Sequence, residues 1–371
     1  MQGANLALLE LVLELRRKYK VEPVILMPRI HRNYYDNNLA LACRDSGIEC
    51  YSLPFYRFHS STRWVQYVRC LANIVCYPYV FLKMRRSFSL IHSNGSVLSL
   101  GGYLSRWLGV PHVWHLREAG ALHYGTKSLP GKGYEKWVYG FGDMFLAISK
   151  SLIDYYSTTI PLEKIRLVYD GVQDVDEHLV SAHANSVFQF CMVGLVTPPK
   201  NQLDALRAVS VMVNEQHITD FHLTIVGFEE HGYIESLRAF VEEQHIGEYV
   251  TFAGERSDVP EILSNMDAGL MLSRFEAFGR VTVEYMLHGL AVVATDTGAN
   301  GEIVENGRTG LLFPLGDFRQ LANHMITLMQ SPQMVSDFGE RGRMRAMQLF
   351  TIQRNAHGVY EVYRAILDER R

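Results

Sequence analysis

Short apolar runs that end in glycine and lead into helical stretches constrain this chain more than any other feature. In the second half, 188–193 runs into Gly194, 223–226 into Gly227, and 250–252 into Ala253-Gly254. Each run reads as a buried strand, and the stretches 202–214, 233–244 and 259–265 between them read as helices. Strands that alternate with helices form a parallel sheet. The pattern continues through strands at 268–273, 291–294 and 309–313, and closes with helices 317–329, 331–349 and 352–368. Repeated glycine turns set backbone N–H groups along one edge of such a sheet, where a nucleotide can bind.

The first half repeats the theme imperfectly. It opens on an amphipathic helix with Leu8, Leu11, Val12 and Leu15 at helical spacing, followed by a strand at 24–27. An α/β unit normally opens with a strand and a glycine turn. Gly3 and Ala4 read as the remnant of that turn, so this reading expects the opening strand upstream of residue 1. Strands follow at 49–53, 90–93, 110–115, 144–148 and 165–169. Polar groups at the C-terminal ends of parallel strands face the ligand crevice, which makes Asn94, His115, Arg117 and Glu118 site candidates. His112 and His115 are three apart on a strand and point to opposite faces, which argues against a metal pair. The stretch from Tyr56 to Arg86 reads as one or two helices with an apolar body and cationic ends. Packing of that body against the sheet is preferred here over an interfacial membrane helix. These boundaries give a first domain at 1–172, a linker at 173–187, a second domain at 188–350 and a final helix at 351–371 that packs toward the first domain.

Within the second domain, Ser273 to Gly289 reads SRFEAFGRVTVEYMLHG. Glu276 falls in a strand-to-helix loop. Phe278-Gly279 makes the turn, and Glu284 falls about a turn and a half into the helix. A helix N-terminus at Gly279 and Arg280 suits a phosphate. Carboxylates on either side suit a ligand with hydroxyls flanking that phosphate, as in a nucleotide-sugar.

Composition narrows the classes. Up to Asp170 there are 21 Lys and Arg against 12 Asp and Glu, and beyond it 15 against 27. A basic half followed by an acidic half fits two domains with different partners; the basic one suits an acidic surface such as a membrane leaflet or a phosphorylated acceptor, or is simply a solvated face. The five cysteines show no paired spacing, which points to reduced thiols in a cytoplasmic protein. Scattered basic residues and the lack of a recognised module argue against nucleic acid.

These motifs together resemble the retaining glycosyltransferases of the GT-B fold, family four. The resemblance runs over nearly the whole chain and is most specific over residues 250–312, with its Glu-x7-Glu motif, Phe-Gly turn and Gly-x-x-Gly-Glu loop. It implies two Rossmann-like, doubly wound domains with a cleft between them, the opening strand of the first missing here. It implies that Glu276 contacts the transferred sugar and Glu284 the ribose. Phe278, Gly279 and Arg280 then lend backbone N–H groups to sugar and phosphate. Lys200 pairs with the diphosphate in place of a metal, so no cofactor is expected. Gly194, Gly227, Gly254 and Arg256 follow the nucleotide side, and Gly3 and Asn94 the first-domain side. His115 or Arg117 occupies the position of a family histidine. Leu195 stands where the family often has an arginine, and Arg117 or Arg280 is the expected substitute.

The implied reaction moves a sugar from a nucleotide-diphosphate donor to a glycan or a polyprenyl-pyrophosphate-linked glycan, in polysaccharide synthesis at the inner membrane face. Two other readings stand beside it: a non-catalytic scaffold that binds nucleotide or glycan, and a sugar epimerase of the same fold.

Overall fold

The computed structural model describes residues 3–28, 34–56, 59–60, 63–120, 127–128, 131–181, 186–229 and 232–370. The chain divides into two compact units. The first runs to Gly171 and takes in the last helix from Ile352, and the second is Val172–Thr351.

The strands of the first unit are β1 (Val24–Pro28), β2 (Glu49–Leu53), β3 (His59–Ser60), β4 (Ile91–Asn94), β5 (His112–Leu116), β6 (Lys127–Ser128), β7 (Met144–Ala147) and β8 (Ile165–Leu167). β1 and β2 form a parallel pair, β4-β5-β7-β8 a parallel four-stranded sheet, and β3 and β6 a short antiparallel pair. No described strand joins β1 to β4. What bridges the two parallel sheets is the opening helix, Gly3–Tyr19. Its Leu11 and Leu15 pack with Val113 and Leu146, while Val12 packs with Ile25 and Met27. Apolar residues on adjoining flanks of one helix thus seal two sheets. The last helix, Ile352–Asp368, adds Ile352, Ala356, Val359 and Tyr363 to the same core. Gly171 permits its approach, because a Cβ there would lie 2.6 Å from the Ile352 Cα.

The stretch after Tyr56 forms one helix, Arg63–Lys83, with Pro78 inside it. Asn73, Tyr77 and Val80 are buried, but the opposite side leaves Trp64, Leu71, Ile74, Val75 and Leu82 exposed. Packing on the sheet therefore accounts for one face of this helix and leaves the other uncovered, which corrects the expectation of a packed apolar body.

The second unit holds β9 (Phe188–Val193), β10 (Phe221–Val226), β11 (Val250–Gly254), β12 (Ala268–Met271), β13 (Ala291–Thr295) and β14 (Gly310–Phe313). They form one parallel sheet in the order β11-β10-β9-β12-β13-β14. Numbered within the unit this is 3-2-1-4-5-6, the doubly wound arrangement whose strand order reverses between β9 and β12. Ligands bind outside the carboxyl ends of the strands at such a reversal. Here β9 and β12 pair over only Phe190/Ala268 and Cys191/Gly269 before diverging. Tyr285, fully buried, fills the gap: its hydroxyl accepts from the Val193 N–H at 2.7 Å. Its ring takes the space a side chain at 269 would need, since a Cβ on Gly269 would fall 2.2 Å from it.

Candidate active site at the strand-order reversal

The loops leaving β9 and β12 meet at this reversal point. After Gly194 the chain passes Leu195 and makes a single 3-10 turn, Pro198–Lys200. Asn201 then takes a left-handed conformation (φ 65°) and the helix Gln202–Ser210 begins. Gln202 Nε2 donates to the Leu195 carbonyl at 2.9 Å, and the Arg274 N–H donates to the Pro199 carbonyl at 2.9 Å. The first bond closes the Lys200 loop on itself, and the second ties it to the Glu276 loop. Lys200 Nζ lies 2.8 Å from Glu276 Oε2. Lys200 keeps a third of its side-chain surface exposed and Glu276 about a seventh (33% and 15%). The pair is thus sheltered but open on one side, so a ligand phosphate can compete with the carboxylate for the ammonium.

Glu276 is held from behind. Its carbonyl accepts from the Ala299 N–H at 2.8 Å. Gly298, at φ 57°, brings the two loops so close that a Cβ would fall 2.1 Å from that carbonyl oxygen. Thr295 and Thr297 both donate to the Ser273 carbonyl at 2.9 Å, and Asn300 Nδ2 donates to the Thr295 carbonyl at 3.0 Å. In the sequence this stretch stands out by its Gly-x-x-Gly-Glu loop, which assigns no role to Thr295, Thr297 or Asn300. The signal available was the clustering of small polar residues immediately after an apolar strand.

Gly279 takes φ 96° and starts the helix Arg280–Leu287. Around it lie two buried oxygens without partners, Thr282 Oγ1 and Asn300 Oδ1. They stand 3.1 and 3.5 Å from where a Gly279 Cβ would be. Orphaned buried oxygens beside a buried glycine that brings no side chain of its own suit a ligand hydroxyl. Phe278 itself is buried, with its ring edge-on to Phe350 at 5.7 Å, and serves as an anchor for the turn. Glu284 and Arg280 are half-buried on this helix, one turn apart, so they rise from the same helix face.

The glycine turns behave differently from one another. The Gly194 N–H donates to the Val226 carbonyl at 2.9 Å, and the Gly227 N–H to the Gly254 carbonyl at 2.8 Å. Those two N–H groups are used in the sheet edge, which corrects the expectation that they are available to a phosphate. What these glycines supply is proximity. A Cβ on Gly227 would lie 1.7 Å from the Gly194 carbonyl oxygen, whereas Gly194 and Gly254 face open space. Arg256 is exposed and pairs with Asp258 through two contacts, one at 2.8 Å.

The first-unit candidates gather at the end of β4. Asn94 Nδ2 donates to the Ala4 carbonyl at 3.4 Å, which sets the helix start at Gly3 beside it. Gly3 is exposed. Asn94 Oδ1 also accepts from Arg117 Nε. Arg117 is buried and paired with Asp170 at 2.8 Å, both side chains almost without exposure. Its Nη1 is thus paired inside the first unit, while its buried Nη2 has no partner among the described residues. Arg274, to which none of the sequence motifs above assigns a role, is an exposed cation on the loop joined to Lys200. His115 is fully buried, its Nδ1 3.2 Å from His92 Nε2, and Tyr363 continues the chain at 2.6 Å from His92 Nδ1. Burial, with the Arg117 charge nearby, holds the His115 pKa well below the ordinary range. A neutral, enclosed imidazole at the heart of the unit is placed to brace the last helix.

Two protein-family descriptions match the chain: "Glycosyl transferase 4-like domain" over residues 2–171 and "Glycosyl transferases group 1" over residues 188–331. Among curated relatives, N-acetyl-alpha-D-glucosaminyl L-malate synthase of Bacillus anthracis is 29% identical over 168 residues, 45% of this chain and 43% of that protein. The match to this relative thus spans less than half its length. The UDP-Gal:alpha-D-GlcNAc-diphosphoundecaprenol alpha-1,3-galactosyltransferase of Escherichia coli is 24% identical over 311 residues, 77% of each chain. Among solved structures, Anabaena Alr3699/HepE in complex with UDP superposes with a TM-score of 0.81 at 21% identity, covering 98% of this chain and 96% of that one. At that identity the likeness speaks for the fold.

Proposed function

The chain belongs to the group 1 glycosyl transferases, and from that premise we propose that it moves a sugar from a nucleotide-diphosphate donor to a glycan or polyprenyl-pyrophosphate-linked glycan. The observation that carries this reading is the Lys200–Glu276 contact of 2.8 Å at the strand-order reversal. A cation and a carboxylate so placed can divide a nucleotide-sugar between them. Glu276 accepts hydroxyls of the transferred sugar, and Lys200 turns to the diphosphate. The turn at Phe278–Arg280 lends N–H groups to the phosphates, and Glu284 accepts the ribose hydroxyls. Thr282 and Asn300 offer their free oxygens to the sugar.

In the reaction the bond between the anomeric carbon and the diphosphate oxygen breaks, and the acceptor oxygen bonds to that carbon from the same face. The acceptor proton passes to a phosphate oxygen, and configuration is retained. Lys200 neutralises charge that grows on the leaving diphosphate, the work a metal ion does elsewhere. Arg274 is the second cation for that charge. Asn94 and Gly3 border the acceptor side, and His115 and Arg117 act as struts within the first unit. The enzyme works at the cytoplasmic membrane face, in building cell-surface polysaccharide; the Escherichia coli relative, named for a diphosphoundecaprenol acceptor, supports that placement.

Leu195, where the family often has an arginine, favours a second reading: a protein that binds nucleotide without transfer. Two variants decide. Glu284→Ala is expected to weaken nucleotide binding, and Glu276→Ala to slow transfer with binding largely kept. Unchanged transfer in both, with a verified donor and acceptor, contradicts the assignment. Nucleotide binding by the wild-type protein, with no turnover of any donor tried, leaves the second reading.

A further inference from the structure

The helix Arg63–Lys83 carries an uncovered apolar stripe. Trp64, Tyr67, Val68, Leu71, Ile74, Val75, Tyr79 and Leu82 are all exposed, with exposures reaching 74% at Trp64 and Val75. They recur every three or four residues, so they form one continuous face about 30 Å long at 1.5 Å per residue. The stripe does not end with the helix. Phe81 meets Trp107 edge-on at 5.5 Å, Trp107 meets Tyr103 at 5.8 Å, and Tyr103 meets Trp137 at 5.7 Å. Both tryptophans keep about half their surface open, Trp107 at 41% and Trp137 at 51%. An exposed apolar area of this extent marks an interaction site.

Charge identifies the partner. Between Glu49 and Glu118 the sequence contains no Asp or Glu, while it contains eight Lys and Arg. Of these, Arg86 is bound to Glu49 and Arg117 to Asp170. Lys83 and Arg85 are exposed at the C-terminal end of the stripe, and Lys83 Nζ sits 5.9 Å from the Tyr79 ring centre. A second copy of the same face would set these cations against their equals, with no carboxylate in the segment to meet them. An anionic lipid surface meets both requirements. Its headgroups neutralise the cations, and its acyl boundary takes the apolar side chains and tryptophans. Among the described residues no helix is long and apolar enough to cross a membrane, so the fit is a helix lying in the surface plane.

We propose that the stripe Trp64–Leu82, extended by Trp107 and Trp137, docks this protein on an anionic bilayer with Lys83 and Arg85 at the lipid phosphates. This deepens the membrane placement proposed above and rests on it only for which membrane is met.

The test is co-sedimentation of the full chain with vesicles of phosphatidylglycerol mixed into phosphatidylcholine, and of phosphatidylcholine alone, at low salt. Binding is expected on the anionic vesicles and at least tenfold weaker on the neutral ones. Ile74→Gln with Val75→Gln is expected to lower vesicle affinity at least tenfold. Lys83→Ser with Arg85→Ser is expected to lower it about thirtyfold on anionic vesicles, at roughly 1 kcal/mol per basic residue. All four positions are exposed, so the folded content by circular dichroism is expected to stay unchanged. Loss of fold in one pair leaves the other pair to decide. Vesicle binding that neither pair alters overturns the proposal. So does a dimer in sedimentation velocity that the apolar pair abolishes, with no vesicle binding in wild type. Transfer to a water-soluble acceptor is measured in parallel. Its absence in wild type counts against the proposed activity and leaves the docking result standing.

Discussion

Lys200→Met removes the ammonium that lies 2.8 Å from Glu276 and keeps most of the side chain's bulk. Two consequences follow, and they have different sizes. A partly sheltered ion pair contributes about 1 kcal/mol to stability. For a unit of this size that corresponds to a thermal midpoint lower by about 2–4 °C. A charge-assisted hydrogen bond to a phosphate is worth about 1.5–3 kcal/mol, so nucleoside diphosphate affinity is expected to fall roughly tenfold to 150-fold. The diphosphate gains charge as the sugar leaves, so turnover is expected to fall by about a further hundredfold. Glu276, with only 15% of its side chain exposed, is left unpaired beside the phosphates and repels them. Adding Glu276→Gln to Lys200→Met relieves that repulsion and is expected to recover part of the lost affinity, while transfer stays low. Isothermal titration with the nucleoside diphosphate selected by a thermal-shift panel reads the affinities, and single-turnover kinetics reads the transfer step. Affinity in Lys200→Met within twofold of wild type would refute the reasoning, because Lys200 would then serve only to hold Glu276.

Gly298→Ala tests the brace behind Glu276. The position has φ 57°, and its new Cβ would stand 2.1 Å from the Glu276 carbonyl oxygen. The loop must move, at a cost of about 1–3 kcal/mol. Transfer is expected to fall more than tenfold in a unit that still folds, and a wild-type turnover number would count against the brace. Two histidines of the first unit, His112 fully buried and His92 half-buried, make its stability depend on pH. Burial is the main cause that lowers His92 to about 3 and His112 to about 4. Between pH 6.5 and these values the unfolded chain takes up protons that the folded unit refuses, so stability falls as pH falls. Each histidine costs up to about 1.4 kcal/mol by pH 5.5. Hydrogen exchange of β4 and β5 amides at pH 7 and 5.5, corrected for the intrinsic rate, reads this. Equal opening free energies at the two pH values would exclude it.

Local patterns carried much of the second unit. Its strands are short apolar runs whose glycine ends need no partner to be recognised, and the Glu276–Glu284 spacing sets both residues around one helix start. Strand order was not legible locally. The chain runs β9 to β14 in sequence, and only packing brings β12 beside β9 and so sets the Glu276 loop against the Lys200 loop. The same holds for Arg117. Its place at a strand end resembles that of a ligand-facing cation, until the fold closes Asp170 upon it at 2.8 Å.

The helix Arg63–Lys83 shows the division most plainly. Its sequence fixes an amphipathic helix with cationic ends, because side-chain spacing alone determines which residues share a face. Whether that face is covered depends on the number and direction of the surrounding elements, which only the tertiary structure decides. The core of the first unit takes Tyr77 and Val80 from one side and leaves the stripe from Trp64 to Leu82 to the solvent. A sequence states which surfaces are apolar. Which of them find a partner within the chain is a property of the whole packed unit, because burial is shared among elements far apart in sequence.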